Sequence, residues 1–336
     1  MKKVFLKIFV LLSSLLLISS TTTLAVTSQT MASSSIEQSK MAPSQMDPSK
    51  IELSKIELSK IEHYVGELQK QWQFPSDHLP IGMSLEKINL ASWNVLDTKY
   101  INWQIEKNSQ GLSHSLIADE NVYIDETKTL TVRDIHAIEL VMQMIQHPSH
   151  RKHILSLQEC SEPFLLELKM HLPSNFIVIA NDGNAILIDT SLFDVIKTQT
   201  ANIFSSDPER TIQDITIKLK ENQQIFRIIN VHIPGDPTKP SRYELTQYLA
   251  KTFDPAITTI AMGDMNFNEV QMQHAINISQ KPFTLYTPYC TNISPTTFIA
   301  KAIDHFIVYA PNKTVTLHEP NQVMIGLSST AKLLSK

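Results

Sequence analysis

The chain has 336 residues, of which 42% are hydrophobic and 18% are charged. This composition excludes a disordered or collagen-like protein, because it supplies enough apolar mass for a sizeable core. The formal net charge is −4, so we expect no broad basic surface for nucleic acid. Two cysteines, Cys160 and Cys290, exclude a disulfide scaffold and a Cys/His zinc site; whether they pair with each other stays open.

The first 25 residues have the pattern of a signal peptide. Lys2, Lys3 and Lys7 precede an apolar run at 8–18, and the small residues that end at Ala25 provide an acceptable cleavage site. The apolar run is too short to span a bilayer comfortably. We expect an exported protein, periplasmic or secreted, whose mature chain begins near Val26. The alternative is an uncleaved N-terminal membrane anchor.

A tether is predicted at residues 26–63, ahead of one domain at 64–336. The tether is rich in Ser, Met and Pro and carries a repeat, SKIEL at 49–53 and 54–58 and SKIEH at 59–63. Since five residues advance a helix by about 140° beyond a full turn, the repeated isoleucines would not share one face. We therefore expect a flexible or partly helical segment; a docking motif for a partner is the alternative.

Beyond the tether, short β-rich runs alternate with helical stretches. Strands are predicted at residues 88–95, 153–157, 176–180, 185–189, 211–218, 226–232, 258–262 and 305–309. Helices are predicted at residues 131–146, 162–171 and 241–253. Such a mixture indicates one large α/β (α+β) domain. The sequence has no glycine-rich nucleotide loop, so a nucleotide cofactor is not expected.

Several of the apolar strands end on, or open with, polar side chains. These residues are Asn94, Glu159, His232, Asp264, Asn266 and Asp304. One polar residue at a strand end is usually part of a turn, but this number in one chain is harder to explain in that way. Carboxylate and amide oxygens bind hard cations, and imidazole transfers protons near neutral pH. The pattern therefore favours a site at the strand ends.

Five short motifs resemble a known family. They are WNVL at 93–96, LQE at 157–159, NVH at 230–232, GDMN at 263–266 and IDHF at 303–306. In this order they resemble the endonuclease/exonuclease/phosphatase superfamily, over residues 76–310. The resemblance implies the deoxyribonuclease-I-like fold, a four-layered α-β-β-α sandwich of two packed mixed β-sheets flanked by helices.

One family motif lies in an unusual place. The family normally ends with a Ser-Asp-His-x-Pro strand, whereas residues 325–330 of this chain contain neither acid nor imidazole. The residues Ser76–Pro80 match that motif ahead of the first family strand. We interpret this as a circular permutation that moves the last strand to the N-terminus, since neighbouring chain ends permit it. A hairpin loop at 82–87 would join a strand at 79–81, antiparallel, to the strand that leads to Asn94.

The resemblance also implies roles for individual residues. Glu159 and Asn94, with Asp77 nearby, would bind Mg²⁺ or Mn²⁺. Asp264 would orient or deprotonate the attacking water, and Asn266 would hold a phosphate oxygen or the metal shell. The imidazole pair would be His78, oriented by Asp304, and His232; which of them is the acid and which the base stays open.

The weaker assignments are Asn184, which follows the family-like Gly183, and Arg242, both as substrate contacts; for Arg242 the alternative is a solvated arginine at a helix start. His305 is expected to be structural and would be the base only if the motif at His78 were accidental.

The sequence predicts a monomeric, metal-dependent phosphoesterase whose substrate class stays open among nucleic acid, phospholipid and inositol phosphate. A catalytically inactive binding module on the same scaffold is the alternative.

Overall fold

A computed structural model describes residues 75–97, 99–100, 121–123, 129–148, 150–288, 291–293, 300–318 and 323. The predicted signal peptide, the tether and Cys290 lie outside these residues. Within the described ranges, no helix reaches the length and hydropathy that a membrane crossing requires.

The secondary structure of these residues is dominated by strands. The strands are β1 (Ile81–Leu85), β2 (Ile88–Asn94), β3 (Asn121–Tyr123), β4 (Thr129–Thr131), β5 (Ile154–Gln158), β6 (Phe176–Asn181), β7 (Asn184–Asp189), β8 (Phe193–Asn202), β9 (Thr211–Leu219), β10 (Ile225–His232), β11 (Thr258–Asp264), β12 (Thr284–Tyr286), β13 (Asn292–Ile293), β14 (Ala300–Lys301), β15 (Asp304–Tyr309) and β16 (Val315–His318). The helices are α1 (Val132–Gln146), α2 (Glu162–His171), α3 (Ser241–Lys251) and α4 (Glu269–Ser279).

Three of the helices begin at side-chain caps that the sequence encodes. Thr131 and Asp134 form a reciprocal capping box at the start of α1. Ser161 accepts a hydrogen bond from a backbone N–H in the first turn of α2, and Asn268 with Gln271 forms a second capping box at α4. These caps satisfy backbone donors that a helix start would otherwise leave unpaired.

Two six-stranded mixed sheets form the centre of the molecule. Their strand orders are β16-β1-β2-β5-β7-β6 and β12-β15-β11-β10-β9-β8. The inner faces pack together through one apolar cluster, to which Met83 and Leu90 contribute from the first sheet and Ile217, Ile260 and Phe306 from the second. Burial of this layer from water is the main force that holds the sheets together.

The helices cover the outer faces of the sheets. Ala137 of α1 and Phe164 of α2 share an apolar cluster with strands of the first sheet, and Leu245 of α3 and Ile276 of α4 share another with strands of the second. The layers therefore run α-β-β-α. The fold expected from the sequence is confirmed.

The two sheets bring their polar strand ends together. The pairs β2-β5 and β10-β11 are parallel, so the carboxyl ends within each pair lie at the same edge. Asn94 is in register with Gln158 in the first sheet. In the second sheet Asp264 is in register with both His232 and Asp304. Ligand sites in mixed α/β sheets commonly lie outside such strand ends.

The N-terminal hairpin agrees with the prediction in its pairing but not in its turn. Strand β1 pairs antiparallel with β2, as expected. The strand begins at Ile81 rather than at residue 79, and residues 82–85 belong to it instead of to a loop. The turn is only Glu86 and Lys87, and Glu86 takes a φ of 55°. Alternating burial of Met83 and Leu85 extends the strand, and the left-handed residue allows the tight turn.

Candidate active site

Asn94 connects carboxylates that arrive from the two sheets. Its Nδ2 donates to Oε1 of Glu159 at 3.0 Å and to Oδ2 of Asp264 at 3.1 Å. Its Oδ1 accepts from the backbone N–H of Leu96 at 3.0 Å. In this orientation the amide bridges the two carboxylates. Metal binding by its oxygen, as the sequence suggested, would require the amide to turn over.

His78 lies against two carboxylates of the second sheet. Its Nδ1 is 2.9 Å from Oδ2 of Asp304, and its Nε2 is 3.6 Å from Oδ2 of Asp264. The expected contact between His78 and Asp304 is therefore present across 226 residues of chain. Burial lowers the pKa of His78, but the charges of Asp304, Asp264 and Asp77 outweigh it and hold the pKa well above its ordinary value.

His232 lies near the same carboxylate from the end of β10. Its Nε2 is 3.6 Å from Oδ2 of Asp264 and 3.5 Å from Oε1 of Glu159. Burial lowers the pKa of His232 well below the ordinary value, and the positive charges of Arg210, His78 and Lys99 act in the same direction. The two imidazoles beside Asp264 therefore favour opposite charge states, protonated at His78 and neutral at His232.

Asp264 is the centre of the cluster. Its Oδ2 lies within 3.6 Å of four nitrogen atoms, which belong to Asn94, Asn266, His78 and His232. Burial is the largest effect on the pKa of Asp264 and raises it to about 7. The charge of His78 lowers this pKa, and the charges of neighbouring carboxylates raise it. A carboxyl group so placed can hold or release a proton near neutral pH.

The backbone around Asp264 is fixed by Gly263 and Asn266. Gly263 has a φ of 148°, and a Cβ there would lie 1.9 Å from the carbonyl oxygen of Val231. Gly263 lies inside β11 and not in a turn. Asn266 donates from its backbone N–H to Oδ1 of Asp264 at 2.9 Å and from Nδ2 to the carbonyl of Ile233 at 2.9 Å. Asn266 thus holds Asp264 in place.

Two overlapping sets of side chains have the composition of a metal site. One set is His78, Asp264 and Asp304, and the other is Glu159, His232 and Asp264; in each the ligand atoms lie within 4.8 Å of one another. Burial, as the largest effect, raises the pKa of Glu159. A cation would relieve the crowding of buried carboxylates, and their oxygens are ligands that Mg²⁺ and Mn²⁺ accept. The residues present therefore fit a divalent metal.

Asp77 lies near these sets without belonging to either. Its Oδ2 accepts a weak hydrogen bond from Nδ2 of Asn292 at 3.4 Å. Its charge raises the pKa of both His78 and Glu159. This places the carboxylate close enough to act on both halves of the cluster.

The other predicted residues separate into three environments. Asn184 is buried, donates to the carbonyl of Thr211 at 3.1 Å and lines the cleft described below. Arg242 stacks its guanidinium over the rings of Tyr243 and Phe267, at 4.6 and 4.9 Å from their centroids. None of its described contacts joins it to the cluster.

His305 has both ring nitrogens engaged and is fully buried. Its Nε2 lies 2.7 Å from the carbonyl oxygen of Phe267, and its Nδ1 lies 2.9 Å from Oγ1 of Thr287. These contacts fit the structural role expected for it.

A cleft of about 170 Å³, partly open to solvent, extends from the cluster along Glu159 and His232. Sequence reasoning missed most of the residues that line this cleft. The missed residues are Asp97, Lys99, Tyr100, Asp182, Asp207, Glu209 and Arg210. Arg210 stands directly before β9 and Asp182 directly before the Gly183 turn. Both positions border strands that the sequence predicted, which is the only signal that could have found them.

Two motif amides prove to bind the sheets together. Nε2 of Gln158 donates to Oδ1 of Asn230 at 2.8 Å, and Nδ2 of Asn230 donates to Oε1 of Gln213 at 2.9 Å. The same Asn230 nitrogen donates to the carbonyl of Leu157 in the first sheet. Gln158 and Asn230 are fully buried, so these residues of the LQE and NVH motifs form a polar bridge inside the apolar layer.

No family model matches the sequence, and no curated protein matches it. Solved structures do match. The chain is similar to an endonuclease/exonuclease/phosphatase family protein from Bacteroides thetaiotaomicron, with 18% identity, coverage of 67% of this chain and 84% of that chain, and a TM-score of 0.47. It is similar to a mannosyl-6-phosphatase of Bacteroides thetaiotaomicron VPI-5482, with 19% identity, coverage of 67% and 86%, and a TM-score of 0.46.

A humanized D. rerio TDP2 is similar at 13% identity, with coverage of 70% and 84% and a TM-score of 0.43. The function of this chain is therefore inferred from its own site. In the order of its motifs and in the layered fold that carries them, the chain resembles the endonuclease/exonuclease/phosphatase superfamily.

Proposed function

We propose that the protein is a hydrolase of phosphate esters that depends on Mg²⁺ or Mn²⁺. The observation that carries the proposal is the environment of Asp264, whose Oδ2 lies 3.6 Å from Nε2 of both His78 and His232 and shares the amide of Asn94 with Glu159. Acid-base groups and cation ligands thus meet at one point. This combination suits a reaction in which water attacks a phosphorus atom.

In the proposed reaction each side chain of the cluster has a separate role. A divalent cation held by Glu159, with Asp77 nearby, would polarise a phosphoryl oxygen and offset developing negative charge. Asp264 orients the attacking water and accepts its proton. His78, held by Asp304 and favouring the protonated form, gives its proton to the leaving oxygen, and His232, which favours the neutral form, donates a hydrogen bond to the phosphoryl group. Asn94 and Asn266 keep the carboxylates in place.

The charges of the cleft favour a particular kind of substrate. Both described cations of the cleft are already paired within it, Lys99 with Asp97 and Arg210 with Asp207, each at 3.2 Å. Asp182 and Glu209 add negative charge without a paired cation among the described lining residues. A polyanion such as DNA or a polyphosphoinositide would meet net repulsion here. An ester with one phosphate on an uncharged polar body fits better.

The test is hydrolysis by purified protein with Mg²⁺ or Mn²⁺. The substrates are bis-p-nitrophenyl phosphate, DNA, sphingomyelin, phosphoinositides and monophosphate esters of polyols. We expect turnover that is abolished by EDTA and lowered at least about 100-fold in Glu159→Gln. We also expect a lower KM for monophosphate esters of uncharged polyols than for polyanionic substrates. Full activity in excess EDTA, or in Glu159→Gln, would contradict the proposal.

The alternative is an inactive binding module, and it predicts a separate result. Such a protein would bind Mn²⁺ or a phosphate ester in calorimetry without turning over any substrate of the panel. Glu159→Gln would then only weaken binding, because such a protein has no turnover that the substitution could lower.

We also propose that the chain order is circularly permuted relative to the family that it resembles. Asp77 and His78 precede the first strand, yet His78 contacts Asp304 near the end of the described chain. Strand β1, which follows them, lies between β16 and β2. These positions support a last strand that has moved to the front.

A further inference from the structure

The segment that carries His78 is not a strand, so other contacts must hold it. Residues 75–80 precede β1, and His78 makes only an isolated bridge to Asn292. Oγ of Ser76 donates to the carbonyl of Asn94 at 2.7 Å and accepts from the backbone N–H of His78 at 3.0 Å. Nε1 of Trp93 donates to the carbonyl of His78 at 2.9 Å. Side-chain hydrogen bonds to β2, with a backbone hydrogen bond from Leu79 to the carbonyl of Thr291 at 2.7 Å, therefore set the position of the imidazole.

Arg133 makes the contact that closes this arrangement. Its Nη1 donates to the carbonyl of Pro75 at 2.9 Å and to the carbonyl of Val95 at 2.8 Å. Pro75 begins the His78 segment, and Val95 follows Asn94 at the end of β2. A single nitrogen thus fixes the separation between the segment with the imidazole and the strand end with the amide.

The guanidinium is itself rigidly held. Arg133 is the second residue of α1 and is 1% exposed. Its Nη2 pairs with Asp134, whose carboxylate also closes the capping box with Thr131. Since a planar guanidinium offers its donors in a fixed geometry, the helix start acts as a rigid support for Pro75.

Arg133 also carries a positive charge that interacts with carboxylates of the site. Burial lowers its pKa, and the carboxylates of Asp134, Asp97, Glu159 and Asp77 act in the opposite direction. The residue does not line the substrate cleft. Arg133 therefore influences the site through other protein groups and not by contact with the substrate.

We propose that Arg133 is a positioning residue that acts through His78. This inference rests on the proposed function for its kinetic test but has a second test that does not. Without the guanidinium, the carbonyl of Pro75 loses its buried donor and the His78 segment can shift relative to Asn94. A displacement of about 1 Å at a reacting group can lower a rate by about 100-fold.

The kinetic test is a double-mutant cycle with bis-p-nitrophenyl phosphate. Arg133→Met should lower kcat by about 10- to 100-fold with little change in KM, and it should cause no further loss in the His78→Ala background. Arg133→Lys should recover part of kcat. If Arg133→Met is too unstable to assay, Arg133→Gln replaces it. An equal loss in both backgrounds would overturn the proposal.

Arg227 provides the matched control. It is also a buried arginine, which pairs with Asp214 in the second sheet and donates to the carbonyl of Thr252 at the end of α3. Arg227→Met should destabilise the protein, yet below its melting temperature it should leave kcat unchanged in either background.

The second test observes His78 directly and needs no turnover. We expect a low-field Nδ1 proton from the contact between His78 and Asp304 in the NMR spectrum, assigned by its loss in His78→Ala. Arg133→Met should abolish or shift this signal, whereas Arg227→Met should keep it. An unchanged signal in Arg133→Met would overturn the proposal. Absence of hydrolysis in the wild type would instead contradict only the proposed function.

Discussion

Two buried histidines, His78 and His305, lie beside Asp304 but have different partners. His78 directs Nε2 toward Asp264, whereas His305 has its two nitrogens engaged by Phe267 and Thr287. His78→Ala should therefore lower kcat at least about 100-fold, because it removes a proton-transfer group. His305→Gln should retain most of kcat, although it lowers stability. The measurement is kcat at a temperature below both melting points. An equal loss of kcat in both variants would show that the assignment is wrong.

Lys152 is a buried cation, and among the described residues no carboxylate pairs with it. Its Nζ contacts Nδ1 of His318 at 3.3 Å, and burial lowers its pKa from 10.5 to about 8. Between about pH 8 and 10.5 the unfolded chain holds a proton that the folded chain has released, so folding stability rises with pH across this window.

Removal of the Lys152 charge should stabilise the protein at neutral pH. We expect Lys152→Met to raise the unfolding free energy at pH 7 by about 1–3 kcal/mol. The advantage over the wild type should shrink as pH rises from 8 to 10.5. Denaturant unfolding of both proteins at each pH measures the difference, and His318, whose pKa is lowered to about 4, stays neutral throughout this range. A difference independent of pH would contradict the prediction.

At the scale of elements, the contact between β10 and β11 depends on one missing side chain. A Cβ at Gly263 would lie 1.9 Å from a backbone oxygen of β10, so the two strands would have to separate. Gly263→Ala should lower the unfolding free energy by at least about 3 kcal/mol. Gly235→Ala is the control, because the atom nearest to its Cβ would be a side-chain oxygen of Asn266 at 3.1 Å and not a backbone atom. Thermal melts of the two variants provide the comparison, and similar losses would count against the strand-separation argument.

The sequence predicted those elements whose apolar residues face an interior. Strands β5, β7, β10 and β11 are buried on both faces, and their continuous apolar runs are easy to recognise. The edge strand β8 was missed because most of its residues are polar and exposed. The helix α4 was missed although its capping box, Asn268 with Gln271, is visible in the sequence.

The site was predictable where strand ends define it. His232 and Asp264 follow apolar runs, and parallel pairing places them at one edge. Lys99 could not be found in this way, since it lies outside the strands and joins the cleft only after distant segments have packed. The amide orientation of Asn94 also depends on Glu159, which no local pattern encodes.

At the scale of the whole molecule, the permutation predicts that the chain can be reordered. The turn Glu86–Lys87 is exposed, so new ends should be tolerated there. A chain in which residues 88–336 are followed by 75–87 should fold and hydrolyse bis-p-nitrophenyl phosphate within about tenfold of the natural order. The same reordered chain with His78→Ala should be inactive. Failure of the reordered chain to fold would count against a simple exchange of ends.

We also propose that the protein is exported, because of the pattern of its first 25 residues. N-terminal sequencing of protein from the producing cell should find a chain that begins near Val26. Recovery of intact Met1 in the membrane fraction would favour the anchor instead.

The polar bridge of Gln158, Asn230 and Gln213 has a consequence for how the protein loses activity on heating. Glu159 and Asn94 are supplied by one sheet and Asp264, His232 and Asp304 by the other, so any slippage between the sheets would split the proposed catalytic centre. Such slippage would break several buried hydrogen bonds between the sheets where no water can replace them. Partial loosening of the interior is thereby disfavoured. Thermal inactivation should coincide with cooperative unfolding instead of preceding it.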